Sequence, residues 1–195
     1  MPLLVATTNP GKVREIRALL AGLPLEILTL EAFPGVAAPE ETGSTFEENA
    51  RAKALYYAAA TGELTVAEDS GLAIDALEGA PGVESARYGG VELPYPDKFA
   101  LIAEALRAKG QPESAARFVC ALALARPATI VFEARGTVEG RIAEAPAGQG
   151  GFGYDPIFCY PPFGRTLAEA GERKAEVSHR ARAFSALRAF LQRAT

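Results

Sequence analysis

The sequence predicts an α/β protein. Short apolar runs that favour strands alternate with longer stretches in which apolar residues recur every three or four positions, the spacing of a helix with one buried face. From about residue 117 to residue 142 the chain is rich in β-forming residues, and helical patterns lie on both sides of this stretch. Strands and helices are therefore interleaved along one chain.

The first elements follow from local signals. Residues 3–6 form an apolar strand, and turn residues lead from it into a helix with apolar positions at Val13, Ile16, Leu19 and Leu20. Residues 25–28 favour a second strand. Residues 31–44 contain two prolines and two glycines, which predict a loop.

The second helix has clear signals at both ends. Thr45 and Glu48 have the spacing of a capping box, and Gly62 stands where a helix would end. A buried strand is predicted next, over residues 64–67, so that Glu68 and Asp69 stand at its end.

The remaining elements are a third helix, three strands in the β-rich stretch, a brief later strand and a final helix. They are expected from about Asp97, over Phe118–Ala125, Thr129–Ala134 and Val138–Ile142, over Ile157–Cys159, and from Ser178 onward.

Composition narrows the functional class. A chain of 195 residues with 49% hydrophobic residues fits one domain over residues 1–195. Acidic side chains (24) outnumber basic ones (20), which argues against a nucleic acid polymer as partner. Cys120 and Cys159 make neither a disulfide framework nor a zinc site, so we expect a cytoplasmic protein. No signal peptide or membrane span is recognisable, so no membrane partner is expected.

The turn Thr7-Thr8-Asn9-Pro10-Gly11-Lys12 is a candidate phosphate-binding loop. A turn that enters a helix offers backbone N–H groups, and Lys12 adds a positive charge. The pattern of a Walker A loop is absent. An ordinary strand-to-helix turn is the alternative, and the segment by itself does not decide between them.

Four carboxylates are candidate cation ligands. Glu68 and Asp69 are predicted at a strand end, where α/β sheets commonly place their sites, and Glu40 and Glu41 lie on the preceding loop. Oxygen ligands of this kind suit Mg²⁺. The alternative is that some of them are solvated surface residues.

The segment from Gly148 to Gly153 matches G-x-G-x-x-G, but Tyr154-Asp155-Pro156 follows where a dinucleotide-binding motif requires a helix. Its Phe152 could stack on a base or pack in the core. His179 is the only histidine, which excludes a multi-histidine metal site.

Taken together, these segments resemble the inosine triphosphate pyrophosphatase family nearly end to end. The resemblance is carried by residues 7–12, by 41–50 with Lys53, by Glu68-Asp69-Ser70-Gly71-Leu72, by 79–88, by 150–156, and by Lys174 with Ser178-His179-Arg180. Many relatives have Asp where this chain has Glu68.

The resemblance implies an elongated, two-lobed α/β fold around a long mixed sheet, related to that of the septum-inhibitor family, with a nucleotide cleft between the lobes and a homodimer. It implies Mg²⁺-dependent hydrolysis of the purine nucleoside triphosphates ITP, dITP and XTP to a monophosphate and pyrophosphate.

The family also implies roles for single residues. Glu40 and Asp69 would bind Mg²⁺, and Asp69 would accept the proton. Thr7, Asn9, Lys12 and Lys53 would hold the triphosphate, with Thr8, Pro10 and Gly11 in the same binding segment, and Ser70 would contact the substrate nearby. Phe152 would stack on the base, beside Gly153 and Tyr154, and its edge would be lined by Asp155, Lys174, His179 and Arg180.

Two other functions remain to be weighed. A pyrophosphatase for pyrimidine or modified nucleotides, of the septum-inhibitor type, is disfavoured by the residues around Phe152 and Arg180. A nucleotide-binding sensor without turnover would need no base at Asp69.

Overall fold

The computed structural model describes residues 1–194, which form an α/β fold as the sequence predicts. The strands are β1 (Pro2–Val5), β2 (Glu26–Thr29), β3 (Thr65–Ile74), β4 (Ala115–Arg126), β5 (Thr129–Ile142), β6 (Phe158–Tyr160) and β7 (Arg165–Thr166). The helices are α1 (Pro10–Leu19), α2 (Phe46–Thr61), α3 (Tyr95–Ala108), α4 (Lys174–Val177) and α5 (His179–Ala194).

All seven strands belong to one sheet, in the order β2-β1-β3-β4-β5-β6-β7. Strand β1 pairs in parallel with β2 and with β3, whereas β6 pairs antiparallel with β5 and with β7. The sheet is therefore mixed, as the family resemblance implies.

The capping signals of helix α2 are confirmed. The hydroxyl of Thr45 accepts a hydrogen bond from the backbone N–H of Glu48, and the Glu48 side chain accepts one from the Thr45 N–H. Gly62 closes the other end with a left-handed backbone, φ 76°. These cap residues therefore define where α2 begins and where it ends.

The predicted end of strand β3 is wrong. The sequence predicts that the strand ends at residue 67, but it continues to Ile74, so Glu68 and Asp69 lie inside it. Both side chains are buried, at 3% and 6% exposure. Carboxylates normally signal a solvated strand end, and they are tolerated in a buried strand only because charged and polar partners surround them.

Strand β5 is also longer than predicted. It runs unbroken through Gly136, where the sequence indicated two strands. A β-carbon on Gly136 would lie 2.0 Å from the backbone oxygen of His179, so the glycine lets the start of α5 approach the strand. In this position glycine marks a close contact and does not end the strand.

The chain divides into two compact units. Unit 1 comprises Met1–Asp69, Cys120–Gly136 and the chain from His179 onward, and unit 2 comprises Ser70–Val119 and Thr137–Ser178. Each has its own apolar core. That of unit 1 includes Leu3, Val5, Val66, Leu122, Phe184 and Leu187. That of unit 2 includes Leu72, Ile102, Phe118, Ile142, Tyr154 and Phe158.

No helix in residues 1–194 is both long enough and apolar enough to cross a membrane.

Candidate active site

The loop before α1 is organised by Asn9. Its Oδ1 accepts hydrogen bonds from the backbone N–H groups of Gly11 and Lys12, at 2.9 and 3.1 Å, and its own N–H donates to Thr7 Oγ1 at 3.2 Å. Pro10 begins the helix, where a missing N–H costs nothing. Two of the amides expected to face a phosphate thus bond Asn9 in this structure, and the positive charge of this loop is on the Lys12 side chain.

Lys12 is aimed at a buried carboxylate of unit 1. Its Nζ lies 3.1 Å from Glu68 Oε1, and the same oxygen accepts hydrogen bonds from Arg180 Nε and Nη2 at 3.1 and 3.0 Å. The other oxygen of Glu68 accepts a bond from the Cys120 thiol at 3.2 Å. Burial alone would raise the pKa of Glu68, but the charges of Arg180 and Lys12 outweigh it and hold that pKa well below its usual range. Glu68 is therefore an anion that anchors two cations.

Asp69 is held by two side chains of α2. Asn49 Nδ2 donates a hydrogen bond to Asp69 Oδ2 at 3.0 Å, and Lys53 Nζ lies 3.6 Å from Asp69 Oδ1. Burial raises the pKa of Asp69, and the lowering influence of Lys53 and Asn49 offsets this only in part. A carboxylate with a raised pKa is a stronger base than an exposed one.

Lys53 joins Asp69 to the loop that precedes α2. Its Nζ donates to Glu41 Oε1 at 2.5 Å, so one ammonium group is shared by two carboxylates. Burial works to lower the pKa of Lys53, but the charges of Asp69 and Glu41 raise it overall. Lys53 is thus a stable cation at this point.

These residues fit a magnesium site. The carboxylates of Glu41 and Asp69 both lie beside the ammonium group of Lys53, so they are close to the same point. Carboxylate oxygens are the ligands that Mg²⁺ prefers. Nowhere in residues 1–194 do three His, Cys, Asp or Glu side chains group as a ready-made metal cage. Mg²⁺ commonly binds through one or two carboxylates and completes its shell with water and substrate phosphate, so two are sufficient.

A second polar cluster lies in unit 2, on the glycine-rich loop. The side chain of Asp155 accepts hydrogen bonds on Oδ2 from the Phe152 backbone N–H at 2.8 Å and from Lys174 Nζ at 2.7 Å. The Lys174 ammonium also lies 4.7 Å from the centroid of the Phe152 ring. Phe152 is only partly buried, whereas Asp155 and Lys174 are buried. The loop therefore presents a partly exposed ring whose position is fixed by a buried ion pair.

Tyr154 and Gly153, two further residues of this loop, have structural roles that the sequence did not indicate. Tyr154 is packed in the core of unit 2, and its hydroxyl donates to the Ser85 backbone oxygen at 2.8 Å. Gly153 has a left-handed backbone, φ 65°. Whether either contacts a substrate stays a prediction.

The other predicted site residues are placed as follows. Glu40 is exposed on the loop where Glu41 reaches Lys53, and its role as a metal ligand stays a prediction. Ser70 follows Asp69 in β3 and is partly exposed. His179 and Arg180 begin α5 in unit 1, with 5% and 1% of their surface exposed.

In this structure the Arg180 guanidinium bonds Glu68 and also donates to Glu15 Oε2 at 2.6 Å. Its contact with the base stays a prediction.

A cavity of about 670 Å³ adjoins the loop before α1 in unit 1. Thr7, Thr8 and Pro10 line one side of it, and its charged lining residues are Arg14, Arg17 and Glu31. Asp69, Asn49, Lys53 and Glu41 are not among the residues that line it.

From the sequence, Asn49 has no predicted role and Glu68 is a possible metal ligand. A signal for Asn49 was present, because it stands four residues before Lys53 and therefore on the same face of α2. The role of Glu68 had no local signal, since Arg180 is 112 residues away in the chain.

The fold and this cluster define the chain as an α/β protein with a mixed sheet and buried carboxylates paired with ammonium and guanidinium groups. The chain belongs to the Ham1 family, whose sequence model matches residues 3–190. It is 50% identical over 188 residues to a protein of Thermus thermophilus named dITP/XTP pyrophosphatase, a match that covers 96% of this chain and 90% of the relative. It is 47% identical over 190 residues to a protein of the same name from an Exiguobacterium species, with 97% and 96% covered.

Solved structures agree with the sequence matches. A HAM1 protein from Coxiella burnetii superposes with a TM-score of 0.92 at 38% identity, over 99% of each chain. The Ham1 protein of Staphylococcus aureus superposes with a TM-score of 0.88 at 35% identity, over 100% of each chain. The family resemblance inferred from the sequence motifs is confirmed.

Proposed function

We propose that this protein is a magnesium-dependent pyrophosphatase that hydrolyses ITP, dITP and XTP to the nucleoside monophosphate and pyrophosphate. The observation that carries the proposal is the Asp69 carboxylate, buried in β3 between Asn49 and Lys53 with Glu41 on the same lysine. The names of the relatives from Thermus thermophilus and Exiguobacterium support the substrate class.

The triphosphate would bind to the cations of unit 1. Lys12 and Lys53 each hold an ammonium group beside a buried carboxylate, so both are charged and fixed in direction before a substrate arrives. Thr7, Thr8 and Asn9 provide the adjoining turn, with Pro10 and Gly11 at the helix start. Preorganised positive charge of this kind stabilises the departing pyrophosphate without reorganisation during the reaction.

Asp69 would take the proton from the attacking water. The water oxygen would form a bond to the α-phosphorus, the bond between that phosphorus and the α–β bridging oxygen would break, and pyrophosphate would leave with the electron pair. Bound Mg²⁺ would supply charge neutralisation of the phosphate oxygens, held by Asp69 with Glu40 or Glu41. Asn49 and Lys53 keep the Asp69 carboxylate in one orientation, which favours a positioned base.

The purine base would bind at the glycine-rich loop of unit 2. The partly exposed ring of Phe152 offers a stacking surface, and Asp155 and Lys174 offer an acceptor and a donor beside it. His179 and Arg180 are the further predicted contacts to the base edge. A base with an oxygen at C6 accepts from a donor there, whereas the amino group of adenine leaves that donor unsatisfied. Loss of such a contact can discriminate by about 10⁴ to 10⁵.

The test is a panel assay. The protein is mixed with Mg²⁺ and each of ITP, dITP, XTP, GTP, ATP and dUTP, and pyrophosphate and orthophosphate are measured separately. We expect pyrophosphate from the hypoxanthine and xanthine nucleotides. Orthophosphate as the first product, or a preference for dUTP, would contradict the proposal. The absence of any turnover would favour a nucleotide-binding sensor.

Asp69→Asn tests the base directly. The substitution keeps the shape of the side chain but removes its basicity, so we expect turnover to fall by about 10² or more while nucleotide binding remains. Asp75→Asn is the matched control, because Asp75 is half exposed and pairs with Arg117 in unit 2. The control is expected to retain wild-type turnover. Wild-type turnover in Asp69→Asn would remove Asp69 from the mechanism.

We also propose that the protein acts in the cytoplasm as a homodimer. Both cysteines are free thiols, which fits a reducing compartment. Light scattering coupled to size-exclusion chromatography measures the oligomer directly, and a monomer would contradict this part of the proposal.

A further inference from the structure

Helix α2 contacts both oxygens of the Asp69 carboxylate. Asn49 Nδ2 bonds Oδ2 at 3.0 Å, and Lys53 Nζ faces Oδ1 at 3.6 Å. The two residues are four apart and therefore lie one above the other on the same helix face. Because Asn49 bonds Oδ2, the other oxygen of Asp69, Oδ1, is the one that faces the ammonium group of Lys53.

The same Asn49 amide holds the loop that carries Glu41. Its Oδ1 accepts a hydrogen bond from the Gly43 backbone N–H at 2.8 Å. A β-carbon on Gly43 would lie 2.5 Å from Asn49 Oδ1 and 2.8 Å from Glu48 Cβ. Only glycine therefore lets the loop come this close to the amide.

Asn49 is an unfavourable choice on local grounds. Asparagine is a poor helix former, and burial of an amide costs free energy unless its donors and acceptor are bonded. Asn49 is 2% exposed in the second turn of α2. A residue that departs from local preference in this way is typical of a functional position.

We propose that Asn49 is a positioning residue that holds Asp69 and the Glu41 loop in register as a preformed site for a divalent cation. The inference rests on the proposed function, since it concerns the site where Mg²⁺ would act. Asn49 itself contacts neither metal nor substrate; it acts through Asp69 Oδ2 on one side and through Gly43 on the other.

Two variants break this arrangement from different sides. Asn49→Leu removes both hydrogen bonds with a side chain of similar size and better helix propensity, so α2 is expected to form. Gly43→Ala keeps the amide but forces the loop or the amide to move. Gly62→Ala is the matched control, since it strains the far end of α2 with no atom within 4 Å of its added carbon.

The first measurement is direct binding of Mn²⁺ to the protein without nucleotide, followed by electron paramagnetic resonance. We expect the dissociation constant to rise by about 10- to 100-fold in Asn49→Leu, as is usual when a partner that orients a metal ligand is removed, and in the same direction in Gly43→Ala. Gly62→Ala should bind Mn²⁺ as the wild type does, although it lowers the melting temperature.

The second measurement separates kcat from KM. The triphosphate lysines are intact in Asn49→Leu, so we expect kcat for ITP to fall while KM changes little. A purely structural role would lower the melting temperature and leave both the Mn²⁺ affinity and kcat of the folded protein unchanged, which would overturn the inference.

The variant Asp69→Asn, measured in parallel, shows whether a negative result contradicts only the inference about Asn49 or the proposed function as well. If Asp69→Asn loses turnover while Asn49→Leu keeps wild-type Mn²⁺ affinity and kcat, only the inference about Asn49 is overturned. If Asp69→Asn retains turnover, both are overturned.

Discussion

Arg180 donates two hydrogen bonds to a single oxygen of Glu68, at 3.1 and 3.0 Å, and both side chains are almost fully buried. A buried pair of this kind is costly to break, because the remaining partner becomes an uncompensated charge. The pair also fixes the carboxylate toward which Lys12 is directed. Glu68 therefore binds the cationic groups of Lys12 and Arg180, while Asp69 contacts side chains of α2.

Glu68→Gln is expected to lower the free energy of unfolding by about 3 kcal/mol or more, because Arg180 and Lys12 lose their shared anion. The measurement is urea unfolding. Glu133→Gln is the control, since Glu133 forms an exposed pair with Arg51 and should lose less than about 1 kcal/mol. Equal losses of unfolding free energy in the two variants would show that the buried pair stabilises the protein no more than the exposed pair does.

Gly151→Ala tests the glycine-rich loop. A β-carbon there would lie 2.1 Å from Asp155 Oδ2, so the loop or the Asp155 side chain must shift, which disturbs the bonds of Asp155 to Lys174 and Phe152. We expect KM for ITP to rise by about tenfold or more, the value of one hydrogen bond to a charged group.

Gly164→Ala is the control for this loop. Gly151 and Gly164 both have left-handed backbones, with φ of 71° and 62°, but nothing lies within 4 Å of a carbon added at Gly164. Both variants place alanine in a left-handed backbone, but only Gly151→Ala disturbs Asp155. An unchanged KM in Gly151→Ala would therefore show that the Asp155 cluster does not bind the substrate.

Phe152→Ala is expected to weaken ITP binding by about 5- to 150-fold, because base stacking on an aromatic ring contributes about 1–3 kcal/mol. Phe163→Ala is the matched control in the same unit. Arg173 lies 4.0 Å from the Phe163 ring centroid, as Lys174 lies 4.7 Å from that of Phe152. Isothermal titration calorimetry in the Asp69→Asn background, where turnover is expected to be slow, compares the two, and equal effects would contradict a stacking role.

Lys98→Met is expected to lower the free energy of unfolding by about 3 kcal/mol or more. Lys98 is 1% exposed, and its Nζ donates to the backbone oxygens of Ala86, Tyr88 and Gly90 at 3.0, 3.0 and 2.9 Å. The variant removes the ammonium group that these three carbonyl oxygens share, and a hydrogen bond to a charged group contributes about 1.5–3 kcal/mol. Lys109→Met, at an exposed position of the same segment, should change stability by less than about 0.5 kcal/mol. Urea unfolding of the two variants gives the comparison, and a similar small change in both would contradict the role of Lys98 as an internal anchor.

Local chemistry allowed much of the fold to be predicted. The helix over 46–61 followed from Thr45, Glu48 and Gly62, whose signals act within a few residues. The end of β3 and the continuity of β5 could not be predicted, because Glu68 and Gly136 are explained by partners from the C-terminal helix. Where a residue is justified by a distant partner, its local preference points to the wrong structure.

The sequence by itself determined the order of the strands and helices as far as β4, the family, and the set of charged residues that carry the proposed chemistry. The reason is that periodicity, capping and motif order are properties of neighbouring residues. Only the tertiary structure decided how those charges are shared: Glu68 takes Lys12 and Arg180, while Asp69 takes Asn49 and Lys53. Burial makes each unpaired charge too costly to keep, so the partners are selected by the packed chain as a whole.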